Sequence, residues 1–311
     1  MPSNTTPYVL IDLSWIAYRA MHTMRDLSFD DMPTGVLYGF FEQLLHVCTH
    51  PKIMSNKVLV FADSRKSYRK RIFPGYKYKR HDDRSPEEIQ AARVMGEQVG
   101  MLRKTILPKI GLPVYQQTGL ESDDLIADAC LQIYQENPGS KAGVIITSDG
   151  DLYQCINTAI HWFDPSRDLY LNELEFWAKK GVDAYHWPMV KAMAGCRSDT
   201  VPGIPGIGEK TAIDFINGIL PKTYKKYGDI SSREGIRIRE RNMPLVRLPF
   251  EKTKPIKIRV PEYNADAFFQ FADEFGFASY LTPGKRREWG AFFRGEMGFD
   301  SQPSRRRGES R

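Results

Sequence analysis

The chain has 311 residues, 41% of them hydrophobic, which predicts one large domain or two closely joined ones. Lysine and arginine number 44 against 38 aspartates and glutamates, and this net charge of +6 favours a polyanionic partner. The sequence has no signal peptide and no apolar span of about 20 residues, so we expect neither a secreted nor a membrane protein. The four cysteines lack metal-ligand spacing, which predicts a reduced, intracellular protein.

Three short apolar runs predict buried parallel strands, and an aspartate ends each of them. The runs are Val9-Leu10-Ile11 before Asp12, residues 58–62 before Asp63, and residues 144–148 before Asp149, with Asp151 just beyond. In open α/β sheets, ligands bind outside the carboxyl ends of the strands. The pattern therefore predicts an α/β fold in which these carboxylates converge on one edge of the sheet.

A further acidic segment, Glu121-Ser122-Asp123-Asp124, begins a predicted helix whose apolar stripe lies within residues 126–133. Thr118 and Glu121 have the spacing of a capping box. Taken alone, acidic residues in a first turn usually do no more than stabilise the helix dipole. Beside three strand-end aspartates, they predict a shared site.

A site with so many carboxylates predicts a bound cation. Like charges at close range raise one another's pKa unless cations neutralise them. Oxygen ligands without a histidine or cysteine pattern favour Mg²⁺ or Mn²⁺ over zinc. The chemistry expected of such a site is metal-assisted attack of water on a phosphodiester.

The first half of the chain also carries a basic segment. After a helix at residues 14–24, which bears Arg19 as a possible phosphate contact, Thr34 is a plausible N-cap for a second helix. Residues 64–84 then contain nine lysines or arginines against two aspartates, with four aromatic residues interleaved. Such a run is often only a solvated surface, but here it follows a proposed metal ligand, and it favours binding of single-stranded nucleic acid.

The next elements are predicted as scaffold. A long helix is expected from Pro86 to a point before Pro108, a short strand at residues 112–115, another strand at 160–163 and a helix at 172–179.

A glycine-rich turn, Gly206-Ile207-Gly208, precedes another predicted helix and can hold phosphate oxygens at the helix N-terminus. An ordinary glycine-rich turn is the alternative. A P-loop is excluded because Glu209 separates Gly208 from Lys210 and Thr211. Residues 222–247 are basic and are expected to be rich in turns, and the five phenylalanines at 268–277 are expected to be core residues of a final helix.

The order of these motifs resembles the 5′-nuclease (flap endonuclease) family, which occurs as a stand-alone protein in bacteriophages and as the 5′-nuclease domain of bacterial DNA polymerase I. The resemblance extends from about Leu10 to Leu281. The motifs that carry it are Asp12 with Tyr18-Arg19-Ala20, Pro33-Thr34-Gly35 with Tyr38-Gly39-Phe40, Asp63 with Tyr68-Arg69 and Tyr76-Lys77, Gly119-Leu120-Glu121-Ser122-Asp123-Asp124, Ser148-Asp149-Gly150-Asp151, and residues 201–212.

The resemblance implies a PIN-like (Rossmann-like), mainly parallel sheet flanked by helices. It implies a nuclease core at residues 1–185 with a helical arch at about 64–96, and a helix-3-turn-helix region with C-terminal helices at 186–290. Residues 291–311 are expected to be a flexible basic tail.

The resemblance also implies site residues. Asp12, Asp63, Glu121 and Asp123 would hold a first Mg²⁺, with Asp124 adjacent and able to share it, while Asp149, Asp151 and Asp199 would hold a second; Mn²⁺ could substitute for either. Lys77 and Arg80 would draw in the scissile phosphate, and K⁺ could bind at the turn of residues 203–208. The implied DNA contacts are Arg19, Arg69, Lys70, Tyr76, Gly203, Gly206, Gly208, Lys210 and Thr211.

One position departs from the family pattern. The family usually has Gly-Asp-x-x-Asp where this chain has Gly195-Cys196-Arg197-Ser198-Asp199. A thiol is a poor Mg²⁺ ligand, and Arg197 adds positive charge. We therefore predict a second metal site that is weaker rather than absent.

The implied function is metal-dependent cleavage of DNA near 5′ flaps or ends, as exonuclease and flap endonuclease, in replication or repair. We expect a monomer in the bacterial cytoplasm, encoded by a phage, with a polymerase or a single-strand-binding protein as a possible partner in trans. Two alternatives stay open: a ribonuclease acting on RNA/DNA hybrids, and a protein that binds branched DNA with weakened catalysis.

Overall fold

A computed structural model describes residues 6–78 and 85–296 of the chain. A six-stranded sheet lies at its centre, and two short hairpins flank it. The strands are β1 (Tyr8–Asp12), β2 (Ser28–Phe29), β3 (Met32–Pro33), β4 (Val58–Phe61), β5 (Val114–Tyr115), β6 (Gly143–Ile146), β7 (Ile160–Asp164), β8 (Leu169–Leu171), β9 (Gly195–Cys196) and β10 (Val201–Pro202). The sheet order is β5-β4-β1-β6-β7-β8, and all its neighbours are parallel except β7 and β8. The predicted mainly parallel sheet is confirmed.

Helices cover both faces of the sheet. They are α1 (Leu13–Thr23), α2 (Gly35–Cys48), α3 (Tyr68–Ile72), α4 (Pro86–Met101), α5 (Leu107–Ile110), α6 (Ser122–Glu136), α7 (Glu173–Lys180), α8 (Trp187–Ala194), α9 (Glu209–Ile216), α10 (Lys225–Ser231), α11 (Arg233–Val246), α12 (Ala265–Glu274), α13 (Ala278–Leu281) and α14 (Pro283–Arg294). Within the described ranges, no helix is both long enough and apolar enough to cross a bilayer.

The alternation of side chains along the strands separates two hydrophobic cores. Leu10 packs into one core with residues of α6, α8 and α11, while Val9 and Ile11 pack into the other with α1, α2, α12 and α14. Each core therefore takes side chains from both sides of the predicted boundary at 185/186. Phe292 is only 1% exposed in α14, so the predicted flexible tail does not begin at residue 291; residues 297–311 lie outside the described part of the chain.

Two helical predictions are corrected. The helix from Pro86 does not end before Pro108: a π-helical turn at Leu102–Ile106 joins α4 to α5, which includes Pro108 near its start. Pro108, which has no N–H, lies where the hydrogen-bond spacing changes, since Leu107 N donates to Leu102 O five residues back.

The basic stretch at residues 222–247, expected to be rich in turns, forms α10 and α11. Ser232 caps α11 by accepting a hydrogen bond from Gly235 N at 3.0 Å, and Ile238 and Leu245 bury one side of that helix. The phenylalanines at 268–277 belong mainly to the core as expected, but α12 is not the final helix, because α13 and α14 follow it.

The N-terminus of α2 is capped from a distant helix. Thr34 occupies the predicted N-cap position, but its side chain makes no cap hydrogen bond. Instead Gln98 of α4, which is 4% exposed, accepts hydrogen bonds from Val36 N at 3.0 Å and Leu37 N at 3.1 Å. The amide of Gln98 therefore satisfies two buried N–H groups that helix geometry leaves unpaired.

Gln98→Leu should lower the free energy of unfolding by about 1–3 kcal/mol, because it leaves both N–H groups buried without a partner. Gln90→Leu, at an exposed position of the same helix, is the matched control and should change stability by less than about 0.5 kcal/mol. Urea unfolding curves of both variants test this, and equal midpoints would contradict it.

Candidate metal centre

Three aspartates meet at the carboxyl edge of the sheet because their strands are neighbours. Asp12 ends β1, which lies between β4 and β6; Asp63 follows β4, and Asp149 follows β6. Asp12 also caps α1 by accepting a hydrogen bond from Ser14 N at 2.9 Å. The strand order thus brings together carboxylates that are far apart in the sequence.

Hydrogen bonds from two helix starts orient the Asp63 carboxylate. Its Oδ1 accepts from Ser122 N at 2.9 Å and from Ser122 Oγ at 3.0 Å, and its Oδ2 accepts from Ser14 Oγ at 2.7 Å. Ser122 is the first residue of α6, so this helix begins directly against the cluster. Neither serine was singled out from the sequence.

The electrostatics of the cluster show that its carboxylates are crowded. Burial, and then the charge of Asp63, raises the pKa of Asp12 to about 7. Burial, followed by the charges of Asp149 and Asp12, raises the pKa of Asp123 well above its usual value. Burial and Asp151 raise the pKa of Asp149 in the same way. The raised pKa values mean that the negative charges of these carboxylates are unfavourable without a counter-charge. A hard divalent cation, which prefers oxygen ligands, would supply that counter-charge.

Lys77 and Tyr76 lie against the acidic side chains. Lys77 Nζ is 2.8 Å from Glu121 Oε2 and 3.7 Å from Asp199 Oδ1. The Tyr76 hydroxyl lies 2.9 Å from Glu121 Oε2 and 3.0 Å from Asp199 Oδ2. Tyr76 is 1% exposed, so its ring is not available to stack on a base, and the prediction that it contacts DNA is corrected. It holds two acidic side chains instead.

Arg69 and Asp124 form a buried bidentate ion pair, with both N–O distances at 2.7 Å. Asp124 also accepts hydrogen bonds from Glu121 N and Phe250 N, and Arg69 donates to Leu245 O. Asp124 is 0% and Arg69 2% exposed. These contacts correct two predictions: Asp124 does not face the cation site, and Arg69 does not face DNA.

The start of α6 differs from the predicted capping box. The helix begins at Ser122 with Glu121 as its N-cap, so Thr118 lies too far back to cap it. The carboxylate that bonds the Glu121 N–H belongs to Asp124.

The proposed second site contains a thiol. One ligand atom each from Asp151, Cys196 and Asp199 lies within 4.8 Å of the others. The Cys196 thiol donates to Asp151 Oδ2 at 3.3 Å and lies 2.9 Å from Ser198 Oγ. Burial, and then the charges of Asp151 and Asp199, raises the pKa of Cys196 to about 12. The protonated thiol is a poor ligand for Mg²⁺.

Lys191 of α8 also contacts this group, although no sequence motif predicted it. Its Nζ lies 3.3 Å from Asp151 Oδ1 and 3.4 Å from Glu209 Oε1. Burial opposes its charge, but the Asp151, Cys196 and Glu209 charges outweigh burial and raise the pKa of Lys191. With a protonated thiol and an ammonium group in place, this donor set does not fit a second Mg²⁺.

The glycine turn presents open backbone at two of its three predicted contacts. A Cβ at Gly206 or at Gly208 would meet no atom within 4 Å, and Gly206 has φ 74°. Gly203 differs, because a Cβ there would lie 2.3 Å from the Ala194 carbonyl carbon. Gly203 therefore allows close packing of the turn on α8, while Gly206 and Gly208 leave the N-terminus of α9 accessible.

The other predicted DNA contacts differ in exposure. Lys70 and Lys210 are exposed, whereas Thr211 and Arg19 are half-buried. The Arg19 guanidinium lies 5.0 Å from the centre of the Trp15 ring. Arg80 lies outside the described residues.

The mainly parallel sheet, with helices on both faces and a carboxylate cluster at its carboxyl edge, defines a PIN-like fold. A family model described as the 5′-3′ exonuclease N-terminal resolvase-like domain matches residues 7–184, more than half of the chain. The chain belongs to this 5′-nuclease family.

Two stand-alone relatives cover most of the chain. The 5′-3′ exonuclease of Buchnera aphidicola subsp. Schizaphis graminum is 26% identical over 266 residues, which are 85% of this chain and 84% of the relative. The 5′-3′ exonuclease of Aquifex aeolicus is 30% identical over 230 residues, which are 73% and 71% of the two chains.

The thermostable DNA polymerase I of Thermus aquaticus is 31% identical over 206 residues, but the match spans only 23% of the polymerase.

Among solved structures, the T5 D15 protein co-crystallized with metal ions has a TM-score of 0.65 and 19% identity, and the match covers 78% of this chain and 90% of D15. At this identity the likeness shows a shared fold.

Arg69→Met should lower the free energy of unfolding by about 3–5 kcal/mol, because it leaves the Asp124 carboxylate buried without its charged partner. Lys70→Met removes a neighbouring exposed cation and should change stability by less than about 0.5 kcal/mol. Urea unfolding of both variants makes the comparison. If Arg69→Met had wild-type stability but bound DNA more weakly, the prediction would be wrong and Arg69 would be a DNA contact.

Proposed function

We propose that this protein is a Mg²⁺-dependent 5′-nuclease that hydrolyses DNA phosphodiesters near 5′ flaps or ends, as an exonuclease and as a flap endonuclease. Mn²⁺ would substitute for Mg²⁺ because both favour oxygen ligands. The observation that carries the proposal is the half-buried cluster of Asp12, Asp123 and Asp149 at the carboxyl edge of the sheet, where partial burial and the charges of neighbouring carboxylates raise all three pKa values.

Asp12, Asp63, Glu121 and Asp123 would hold the first ion, with Asp149 beside them. When bound, a divalent ion supplies an activated water and stabilises the oxygens that carry charge in phosphodiester hydrolysis. Ser14 and Ser122 fix the orientation of Asp63, which keeps the ligand set ordered before substrate arrives.

Lys77 would meet the scissile phosphate. Its ammonium group lies among the acidic side chains while keeping 17% of its side-chain surface exposed, so a phosphate at the cluster would come within its reach. A fixed positive charge of this kind stabilises the charge that develops in the transition state. Arg80 would assist as a second cation of the same basic segment.

The DNA itself would lie against the exposed cations and the glycine turn. Lys70, Lys210 and Arg19 would neutralise phosphates, and the open backbone at Gly206 and Gly208 would approach the duplex, with Thr211 beside it. K⁺ bound by the turn of residues 203–208 would add positive charge there. The group of Asp149, Asp151 and Asp199 would bind a second divalent ion too weakly to hold it in the DNA-free protein, because Cys196 supplies a thiol where a carboxylate is expected.

We place the protein as a monomer in the cytoplasm of a bacterial cell, encoded by a phage and working beside a polymerase or a single-strand-binding protein. The bacterial 5′-3′ exonuclease relatives and the likeness to the T5 protein support this placement.

A second candidate function is recognition of branched DNA with weakened catalysis, and the thiol and ammonium at the second site favour it. Binding of a flap substrate without cleavage in Mg²⁺ or Mn²⁺ would establish it. Removal of RNA from RNA/DNA hybrids is a third possibility, which competition between length-matched RNA and DNA flaps would separate from DNA cleavage.

A labelled 5′-flap duplex should be cut near the junction only when Mg²⁺ or Mn²⁺ is present, and Asp63→Ala should abolish the cleavage while leaving DNA binding largely intact. The reason is that Asp63 serves the cation and not the DNA surface. Asp273→Ala, which removes an exposed carboxylate of α12, is the matched control and should cut at the wild-type rate. Cleavage by Asp63→Ala at the wild-type rate would refute the site.

Lys77→Ala should lower turnover by about 10²–10³-fold, as expected for loss of one preorganised charge at a transition state. Single-turnover cleavage of the same flap measures this step apart from product release. Lys66→Ala removes an exposed lysine of the same basic segment and should affect DNA binding more than turnover. Equal single-turnover rates for Lys77→Ala and the wild type would remove Lys77 from the mechanism.

A further inference from the structure

A lysine side chain contacts the group of Asp151, Cys196 and Asp199, which was predicted to hold a second divalent ion. Lys191 projects from α8, and its Nζ is 3.3 Å from Asp151 Oδ1, while the Cys196 sulfur is 3.3 Å from Asp151 Oδ2. The two oxygens of the Asp151 carboxylate therefore each have a protein partner, one an ammonium and the other a thiol.

The position of the Lys191 ammonium is fixed by its surroundings. Its side chain is 15% exposed and its Nζ lies 5.5 Å from the centre of the Trp187 ring. Glu209, the first residue of α9, binds Lys191 through Oε1 at 3.4 Å and Lys180 through Oε2 at 3.5 Å. The ammonium therefore has a carboxylate partner on each of two elements, Asp151 and Glu209.

The charges near Asp151 disfavour binding of another cation. A Mg²⁺ or Mn²⁺ ion bound to Asp151 at an ordinary distance of about 2 Å would lie within a few ångströms of the ammonium, and the two charges would repel each other. The Cys196 thiol, which donates its hydrogen to Asp151, offers no negative charge in compensation, and Lys77 Nζ, 3.7 Å from Asp199 Oδ1, adds a second ammonium beside the group.

We propose that the Lys191 ammonium takes the place of the second divalent ion, so that the resting protein binds a single divalent ion at its carboxylate cluster. The positive charge at Asp151 is then supplied by the chain itself. This inference rests on the proposed function and deepens it by assigning the second cation position to a residue.

Counting Mn²⁺ ions bound to the full-length, DNA-free protein tests the proposal. The electron paramagnetic resonance signal of free Mn²⁺, followed through a titration, gives the number bound without reference to activity. We expect one ion for the wild type and one for Lys191→Arg, which keeps the charge. Cys196→Asp should add a second, weak ion, and the double variant Cys196→Asp/Lys191→Met should bind that second ion on the order of tenfold more tightly.

Lys180→Met combined with Cys196→Asp is the matched control, because Lys180 shares Glu209 with Lys191 but has no contact with Asp151 in the described structure. It should bind the second ion no more tightly than Cys196→Asp alone. Equal affinity in the Lys191 and Lys180 double variants would overturn the proposal, and so would two ions in the wild type. The number of Mn²⁺ ions bound to the wild-type protein tests the proposal even if a variant fails to fold.

The outcomes also separate this inference from the proposed function. A wild-type protein that binds two Mn²⁺ ions and cuts the flap overturns only the role of Lys191. A wild-type protein that binds no ion and does not cut overturns the proposed nuclease function as well.

Discussion

Repulsion among the carboxylates at one edge of the sheet is the constraint on which the arrangement of the other site residues depends. Asp12, Asp123 and Asp149 are held close together by the strand order and by the start of α6, and burial makes their shared negative charge costly. Hydrogen bonds from Ser14 and Ser122 keep the carboxylate of Asp63 in the same cluster. The fold therefore keeps together groups that, without a cation, would favour moving apart or taking up protons.

A second ionic contact, at the base of the site, joins distant parts of the chain. The Arg69–Asp124 pair lies between α3 and α6, and Arg69 also donates to Leu245 O at the end of α11. Tyr76 packs beside this pair in a small apolar cluster with Cys196 and residues of α8 and α11. The basic segment that was predicted to bind DNA is thus anchored at its start, so its exposed cations, such as Lys70, project from a fixed base.

The sequence predicted the sheet and the strand-end aspartates because short β-branched runs and their final residues depend on local pattern. It placed Asp124 beside the ion together with Asp123, since only the position of Arg69 shows that Asp124 is buried in an ion pair. The sequence also did not predict a role for Lys191, because its contact with Asp151 depends on how α8 packs in the folded protein. The π-helical turn after α4 likewise reflects tertiary packing that no local signal specifies.

The thiol of Cys196 and the ammonium of Lys191 are best understood together. Replacing a carboxylate by a thiol removes one negative charge from a group that would otherwise need a cation, and an ammonium 3.3 Å from Asp151 Oδ1 then offsets the charge of Asp151. The thiol lowers the negative charge of the group, and the ammonium supplies positive charge, so both reduce the need for a bound cation. A second divalent ion would have to displace a half-buried ion pair that also contacts α9 through Glu209, whereas an ion at the proposed first site would meet carboxylates that repel one another. The difference in expected affinity between the two sites therefore follows from the local balance of charge.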